Sequence, residues 1–443
     1  MSAQVSELVN KREGSYYMKT IELIALAFIL FTLCTQHSVA KVPMIEAVAE
    51  TKPIPAGKES SDDVAIWLNS VNPDQSRIIG VSKNKKKRGG QAGVGLYRMD
   101  GSEVQFILHD RLNNVDLRYD FPYQGGHIDI AAASNRDKRA ITVFRVEENE
   151  LKLLADLKLV NAKGDHIEEE PYGFCLGLEK GSRYRLYAFS PMKNGRIYQH
   201  QLVEDEGALQ AKFVRIIDTS LYLSRELDQH LIAITVKETI YDEVLPKDLL
   251  VAEVIEELDE RFQLEGCVVD DAFGFLYYGM ENLGVWKVRI SPRLRSKPVL
   301  ITQVLRAKSE PGARQLPPNV PRVINDIEGM AMHYGPSGKG ALVVSIQGLD
   351  EFAFFGRQNH EYLGSFKIRF TSKDPVTETD GFDLLSSSVG SSFPEGVLVV
   401  HDHHNTDGAG NLLNGNYKIV SLADVLKHFP ALRYGGYRYD PRR

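Results

Sequence analysis

The sequence predicts an all-β chain built from repeated small sheets, and three observations carry that reading. At least ten short runs are rich in β-branched and aromatic residues, among them Arg77–Val81, His127–Ala132, Ala140–Val146 and Val397–Val400, and Gly, Asn, Asp and Ser separate them. A loose repeat opens strand pairs with Glu170-Pro-Tyr-Gly, Glu265-Gly-Cys, Glu328-Gly-Met and Glu395-Gly-Val, spaced 95, 63 and 67 residues apart. Hydrophobic content of 43% and charged content of 25% are those of a globular protein and exclude disorder, collagen and coiled coil for the whole. Repeats of this size have the dimensions of β-propeller blades, and six units of about 67 residues fit the length. A β-sandwich or an irregular all-β fold remains open on pattern alone.

In chain order, Lys19, the apolar run Ile21–Leu33 and Ser38-Val39-Ala40 form the three parts of an export signal over residues 1–40. Translation starting at Met18 would make the first 17 residues an upstream extension. A lipid anchor on Cys34 is the weaker reading, because Leu33 precedes it. The run is short for a membrane span and no other is longer, so a secreted or periplasmic protein with no stable membrane span is expected. Residues 41–431 read as one domain. Within it, residues 221–262 are charged and helical in pattern, with Val251, Ile255, Leu258 and Phe262 on one face and Pro246 at a start position. A short helix is expected at Leu422–His428, and residues 432–443, without apolar periodicity, are expected to be a loose tail. Cys175 and Cys267 are the two cysteines beyond the signal, and an oxidising compartment favours joining them over leaving two buried thiols.

Net charge is −6, which argues against a general nucleic-acid binder. Absence of any CxxC excludes a zinc ribbon, and absence of GxSxG leaves no nucleophile elbow. Acidic residues cluster at strand ends: Asp62, Asp63, Glu265, Asp270, Asp271, Glu281, Asp326, Glu328, Asp374 and Asp380. Each alone reads as a solvated turn residue. Crowded together they repel one another and require cations or protons, and hard oxygen ligands from scattered loops suit Ca²⁺. Lys83, Arg136 and Lys193 each follow a strand-like run and complement a carboxylate-held metal in binding a polyanionic phosphate ester; singly, each reads as a surface ion pair. Lys85–Arg88 reads as a solvated hairpin tip, and His401-Asp-His403-His404 as a loop that lacks a third zinc ligand.

Several phrases together resemble the β-propeller phytases, the calcium-dependent alkaline 3-phytases of bacteria. They are Asp62-Asp-Val-Ala-Ile-Trp67, Leu112-Asn-Asn-Val-Asp-Leu-Arg-Tyr-Asp-Phe-Pro122, Ile128-Asp-Ile-Ala-Ala-Ala-Ser-Asn-Arg136, Tyr172-Gly-Phe, Glu265-Gly-Cys-Val-Val-Asp-Asp271, Asp326-Ile-Glu-Gly329, Ser345-Ile-Gln-Gly348 and Thr379-Asp-Gly-Phe-Asp383, in the family's order. The resemblance implies a six-bladed β-propeller with a helical insertion between blades. It implies several Ca²⁺ ions at Tyr172, Glu265, Glu281, Asp326, Glu328, Gln347 and Asp380, and further structural or shared sites at Glu50, Asp63, Asp374, Asp402 and Asn405. Lys83, Arg136 and Lys193 match the residues that hold substrate phosphates. The implied enzyme is a monomeric phosphomonoesterase that hydrolyses phytate, as its calcium complex, stepwise by attack of a metal-activated water. Met280 and Asn282 flank Glu281 where acids are usual, Asn84 follows Lys83, Val64 replaces a Pro, and residues 219–262 exceed the pattern. A phosphatase or diesterase for another phosphorylated substrate, a non-catalytic calcium-stabilised propeller and a lactonase-type propeller are the competing functions.

Overall fold

Strands dominate the described residues and pair into six mainly antiparallel sheets. The computed structural model describes residues 42–54, 61–84, 92–181, 184–229, 231, 232, 235, 257, 258, 260–304, 322, 323, 326–435, 437 and 439–442. The signal segment, the Lys85–Arg88 tip, Pro246, Val251 and Ile255 lie outside them. Blade 1 contains Ser61–Trp67, Arg77–Ser82, Gly93–Arg98 and Glu103–Leu108, and blade 2 contains Leu112–Tyr123, Gly126–Asn135, Ala140–Glu147 and Glu150–Lys158. Blade 3 contains Cys175–Leu178, Leu186–Pro191, Arg196–Asp205 and Ala208–Asp218; blade 4 contains Leu264–Asp270, Phe275–Met280, Gly284–Arg289 and Val299–Val304, edged by Arg322–Val323. Blade 5 contains Ile327–Tyr334, Gly340–Ile346, Glu351–Gly356 and Tyr362–Thr371, and blade 6 contains Phe382–Leu385, Val397–Asp402 and Asn416–Ser421. The first strand of each blade touches the first strand of the next, and blade 6 touches blade 1, so the sheets form a six-bladed β-propeller.

Blade position explains the residue patterns. Second strands such as Arg77–Ser82 and Gly340–Ile346 are buried along their whole length, because neighbouring blades cover both faces. They therefore read as unbroken apolar runs. The outermost strand of blade 3, Ala208–Asp218, alternates with exposure instead. The expected helix after blade 6 is present as Leu422–Leu426, with Leu422, Val425 and Leu426 buried.

The N-terminal segment closes the ring. Ala49–Glu50 adds antiparallel to Asn416–Ser421 as the fourth strand of blade 6, and Met44–Glu46 adds parallel to Tyr362–Thr371 in blade 5. At this seam Lys418 is fully buried. Its ammonium lies 2.6 Å from Asp374, 3.3 Å from Asp402 and 2.9 Å from Asn405 Oδ1, and it also contacts Glu50. Glu50, Asp374, Asp402 and Asn405, which the resemblance gives as structural or shared calcium positions, gather around a positive charge of the chain itself. Burial pushes the Asp402 carboxyl up to about 7, although Lys418 pulls it down.

Cys175 and Cys267 are bonded to each other, Cα to Cα 5.8 Å, and tie the inner strands of blades 3 and 4. Among the described residues adjacent inner strands form no ladders, and carboxylates span the gaps. Asp63 accepts from Val115 N at 3.1 Å, Asp116 from Leu176 N at 2.8 Å, Asp271 from Leu178 N at 2.8 Å and Asp383 from Ile66 N at 2.8 Å. Arg118 links Asp116 and Asp271 across a channel cavity of about 120 Å³.

The C-terminal residues correct the expectation of a loose tail. Tyr439 stacks on Tyr334 with ring centres 4.1 Å apart, Tyr434 stacks on His333, and Arg442 pairs with Asp129 at 2.7 Å. Tyr439 and Pro441 line the channel cavity. The anchors are aromatic faces and one guanidinium, which leave no periodic trace. In the insertion, helical turns occupy 225–229, and Leu231 is buried in the blade 3–blade 4 core with Leu223, Leu227 and Phe262 packed against that core. The described part of the insertion therefore packs on the propeller itself.

Replacing Lys418 by Met should lower stability by about 3–5 kcal/mol, because the acids around it lose their counter-charge; urea unfolding at neutral pH measures the loss. Asp383 gives a pH signature. Burial raises its carboxyl to about 6, above the unfolded value of about 3.9. Folding then takes up a proton, so its contribution is full below about pH 4 and is lost as pH rises through 6. The stability difference between wild type and Asp383→Asn should fall by on the order of 2 kcal/mol from pH 4 to 7. A difference constant with pH would refute this.

Candidate active site

Each blade sends two positions to the same end of the channel, because the start of an antiparallel first strand lies beside the end of the second. Strand starts bring Asp62, Asn113, Glu265, Glu328 and Asp380, and the segment before Cys175–Leu178 brings Tyr172. Strand ends bring Lys83, Arg136, Lys193, Glu281, Gln347 and His403. Four of the first strands are bulged at this point. Asp62-Asp63 oppose Val81 alone, Asn113-Asn114 oppose Ser134, Glu265-Gly266 oppose Gly279, and Glu328-Gly329 oppose Ser345. A bulge re-aims the side chain it carries, here along the rim.

The glycine after the site residue is steric. A Cβ on Gly173 would lie 2.0 Å from Glu265 O, and one on Gly266 1.9 Å from Glu328 O. A Cβ on Gly329 would lie 2.9 Å from Asp380 O, and one on Gly381 2.1 Å from Asp63 Oδ1. Each blade therefore leaves room for the next. Glu395-Gly396, grouped with these in the sequence repeat, is a correction: it precedes the second strand of blade 6, where Glu395 pairs with Arg433. The true sixth member is Asp380-Gly381.

Carboxylate oxygens of Glu265, Glu281 and Glu328 lie within 4.8 Å of one another. Glu265 accepts from Asn113 Nδ2 at 2.8 Å, and Gln263 Nε2 donates to Glu281 at 2.5 Å and to Tyr172 OH at 3.2 Å. Glu328 Oε2 is buried with no hydrogen-bond partner among the described residues. Burial raises all three carboxyls, and for Glu281 and Glu328 the neighbouring carboxylates push further. An oxygen without a partner in a crowded, largely buried triple of acids fits a bound cation. Asp326, at φ +53°, adds to the field on Glu281.

Lys83 faces the cluster and sits 2.9 Å from Asp62 and 2.7 Å from Asp380. Burial opposes its charge, but Asp380, Asp62 and Glu265 outweigh burial and raise it well above the ordinary lysine value. Burial also raises Asp62, and Lys83 only partly offsets this; Asp380 is instead held low, because Lys83 and His401 overcome its burial. Gln347 Nε2 donates to Asp380 at 2.7 Å. Arg136 and Lys193 each stand 5.0 Å from the ring centre of Tyr172, and Lys193 pairs with Glu260 of the insertion at 2.6 Å.

The structure thus brings together Tyr172, Glu265, Glu281, Asp326, Glu328, Gln347 and Asp380 with Lys83, Arg136 and Lys193. It places Glu50, Asp374, Asp402 and Asn405 apart, around Lys418. Asp63 is turned to Val115 N, and its neighbour Asp62 faces Lys83. Sequence reasoning missed Asn113 and Gln263 as partners of the acids, although Asn113-Asn114 occupies the place of Asp62-Asp63 in the next blade. His401 is buried, with Nδ1 accepting from Asp380 N, whereas His403 and His404 approach Glu378.

The family model for phytase matches residues 18–222 and again residues 220–442. The 3-phytase of Bacillus subtilis (strain 168) is 30% identical over 404 residues, 90% of this chain and 89% of that protein. Among solved structures, a luciferin-regenerating enzyme is 11% identical with a TM-score of 0.45, over 86% of this chain and 96% of its own. The Pseudomonas aeruginosa periplasmic gluconolactonase is 14% identical with a TM-score of 0.38, over 83% and 85%; likenesses this low carry no weight. Two family matches that together span the chain, and a relative that follows it nearly end to end, show that the protein belongs to the phytase family.

Proposed function

We propose that this phytase hydrolyses phytate stepwise with several calcium ions held at the channel rim. The observation that carries the reading is the crowded triple Glu265, Glu281 and Glu328, with one buried oxygen that has no partner among the described residues, beside three cationic side chains. Asp326, Asp380, Gln347 and Tyr172 are the further ligands, directly or through water. Hard oxygen donors in a flexible set suit calcium over a transition metal. Calcium held by these residues would supply a water of lowered pKa and offset the charge of the carboxylates and the phosphate.

The chain's own residues do the rest. Lys83, Arg136 and Lys193 bind and orient the phosphate and offset charge that builds on it as the ester bond breaks. Asn113 fixes Glu265, and Gln263 fixes Glu281 and Tyr172. Burial raises Tyr172 well above the ordinary phenol value, so it stays a neutral hydrogen-bonding group. The amino-terminal segment with Lys19, Ile21–Leu33 and Ala40 supports export, hence action on phytate outside the cytoplasm.

Phosphate release from phytate, with and without exhaustive chelation, tests the reading. Chelation should abolish turnover and lower the melting temperature, and returning calcium should restore both. Calcium binding should release protons at mildly acidic pH to a greater extent than at alkaline pH, because carboxyls raised by burial give up their protons to bind the ion. Glu265→Gln should lower kcat by at least about 100-fold with the fold retained. Full activity and an unchanged melting temperature after chelation would overturn the proposal.

A further inference from the structure

The histidine run in blade 6 has a partner that its own stretch of sequence does not contain. Val397–Asp402 ends at Asp402, and His403 and His404 follow at once. Facing them is Thr377-Glu378, in the segment that leads into Phe382–Leu385. Glu378 Oε2 lies 3.7 Å from His403 Nε2 and 3.7 Å from His404 Nδ1. One ligand atom from each of the three residues lies within 4.8 Å of the others, and the two imidazole rings are 4.6 Å apart, centre to centre. At 3.7 Å neither nitrogen is hydrogen-bonded to the carboxylate. Three metal-ligating groups thus converge without satisfying one another, and Glu378 supplies the third ligand that the histidine run alone lacks.

Hydrogen bonds between the two segments fix the arrangement. His403 N donates to Thr377 O at 3.2 Å, Thr377 N to Asp402 Oδ1 at 3.1 Å, and Thr379 Oγ1 to His401 O at 2.9 Å. Asp350 Oδ1 accepts from Glu378 N at 3.1 Å and steadies that residue at φ +45°. The His403 side chain is 19% exposed and those of His404 and Glu378 are 45% and 50% exposed, so the seat is open on one side. Two ligands of a tetrahedral zinc ion, each about 2.0–2.1 Å from it, lie about 3.3 Å apart. Both nitrogen–oxygen separations exceed that by only about 0.4 Å, which ordinary side-chain rotation closes. Thr377 Oγ1 lies 3.2 Å from His404 Nδ1, a long contact that an ion would replace.

We propose that His403, His404 and Glu378 form a metal site of their own, chemically distinct from the acid triple, which takes a zinc-class divalent ion with water in the fourth position. Imidazole nitrogen suits zinc, copper and nickel, whereas Ca²⁺ takes oxygen donors. None of the three residues belongs to the triple Glu265, Glu281 and Glu328. Blade 2 shows a comparable group closed by the chain's own cation: beside His109, Lys138 Nζ lies 2.8 Å from Asp110 and 2.6 Å from Asp156. Among the described residues no lysine or arginine pairs with Glu378 in that way. No step of the proposed hydrolysis uses these residues, so the site stands or falls apart from it.

Untagged protein saturated with calcium is titrated with Zn²⁺ by calorimetry at neutral pH, and with Co²⁺ followed by visible absorption. Zinc should bind with one site of highest affinity, and cobalt should give the intense bands of a four-coordinate ion. His403→Ala, His404→Ala and Glu378→Gln should each weaken zinc binding at least about tenfold, because losing a group that merely orients a ligand already costs that much. Calcium affinity of the variants should stay within about twofold of wild type. If His403→Ala does not fold, the variants at the two more exposed positions carry the test. No zinc uptake by the calcium-loaded wild type, equal uptake in the variants, or displacement of zinc by excess calcium would overturn the proposal. Uptake that persists in these variants and is lost in Asp156→Asn would place the ion in blade 2, and overturns it equally.

Discussion

The rim depends on how closely six strand starts can approach one another around the channel. Gly173, Gly266, Gly329 and Gly381 remove the one atom that would strike the next blade, and Gly329 N then donates to Asp380 O at 2.7 Å. Only with that spacing do carboxylates from separate blades come within a few ångströms. Any larger residue there would push a blade outward and separate the acids. The bulges complete the geometry by aiming one residue of each pair along the rim and leaving its neighbour to the channel wall. Asp62 and Asp63 show the division of labour, one beside Lys83 and the other bracing Val115.

Electrostatics sets the character of two acid clusters, one at the rim and one at the blade 6 seam. Crowding of Glu265, Glu281 and Glu328 is unfavourable in isolation, and burial makes it worse. That stored repulsion is what a divalent ion would relieve. The blade 6 seam faces the same difficulty and meets it with the ammonium of Lys418. Acid clusters of similar composition are thus resolved differently, according to whether a lysine side chain reaches their centre.

Local features were legible in the sequence and distant ones were not. Strand runs, the Leu422–Leu426 helix and the residues just after second strands could be read because each depends on neighbours in the chain. Glu395-Gly396 misled because a dipeptide does not reveal which end of a sheet it occupies. The different roles of Asp62 and Asp63 are hidden in the sequence because the bulge that separates them is a property of strand pairing, not of the pair itself. The long insertion between Tyr172 and Glu265 also stretches one repeat and masks the register shared by Tyr172-Gly173 and Asp380-Gly381. Lys418 could not be recognised from its surroundings in sequence, since its partner Glu50 lies 368 residues away.

Ring closure by the N-terminal segment has a consequence for biogenesis. Ala49–Glu50 is among the first strands to leave the ribosome, yet its mate, Asn416–Ser421, is among the last. At roughly 5–20 residues per second, synthesis of the intervening chain takes on the order of half a minute. Throughout that interval five and a half blades can assemble, while the ring stays open and an unpaired edge waits for its neighbour. Completion is therefore an end-to-end event, and a ribosome that stalls within the last blade leaves a nearly finished molecule with two sticky edges rather than a smaller stable one.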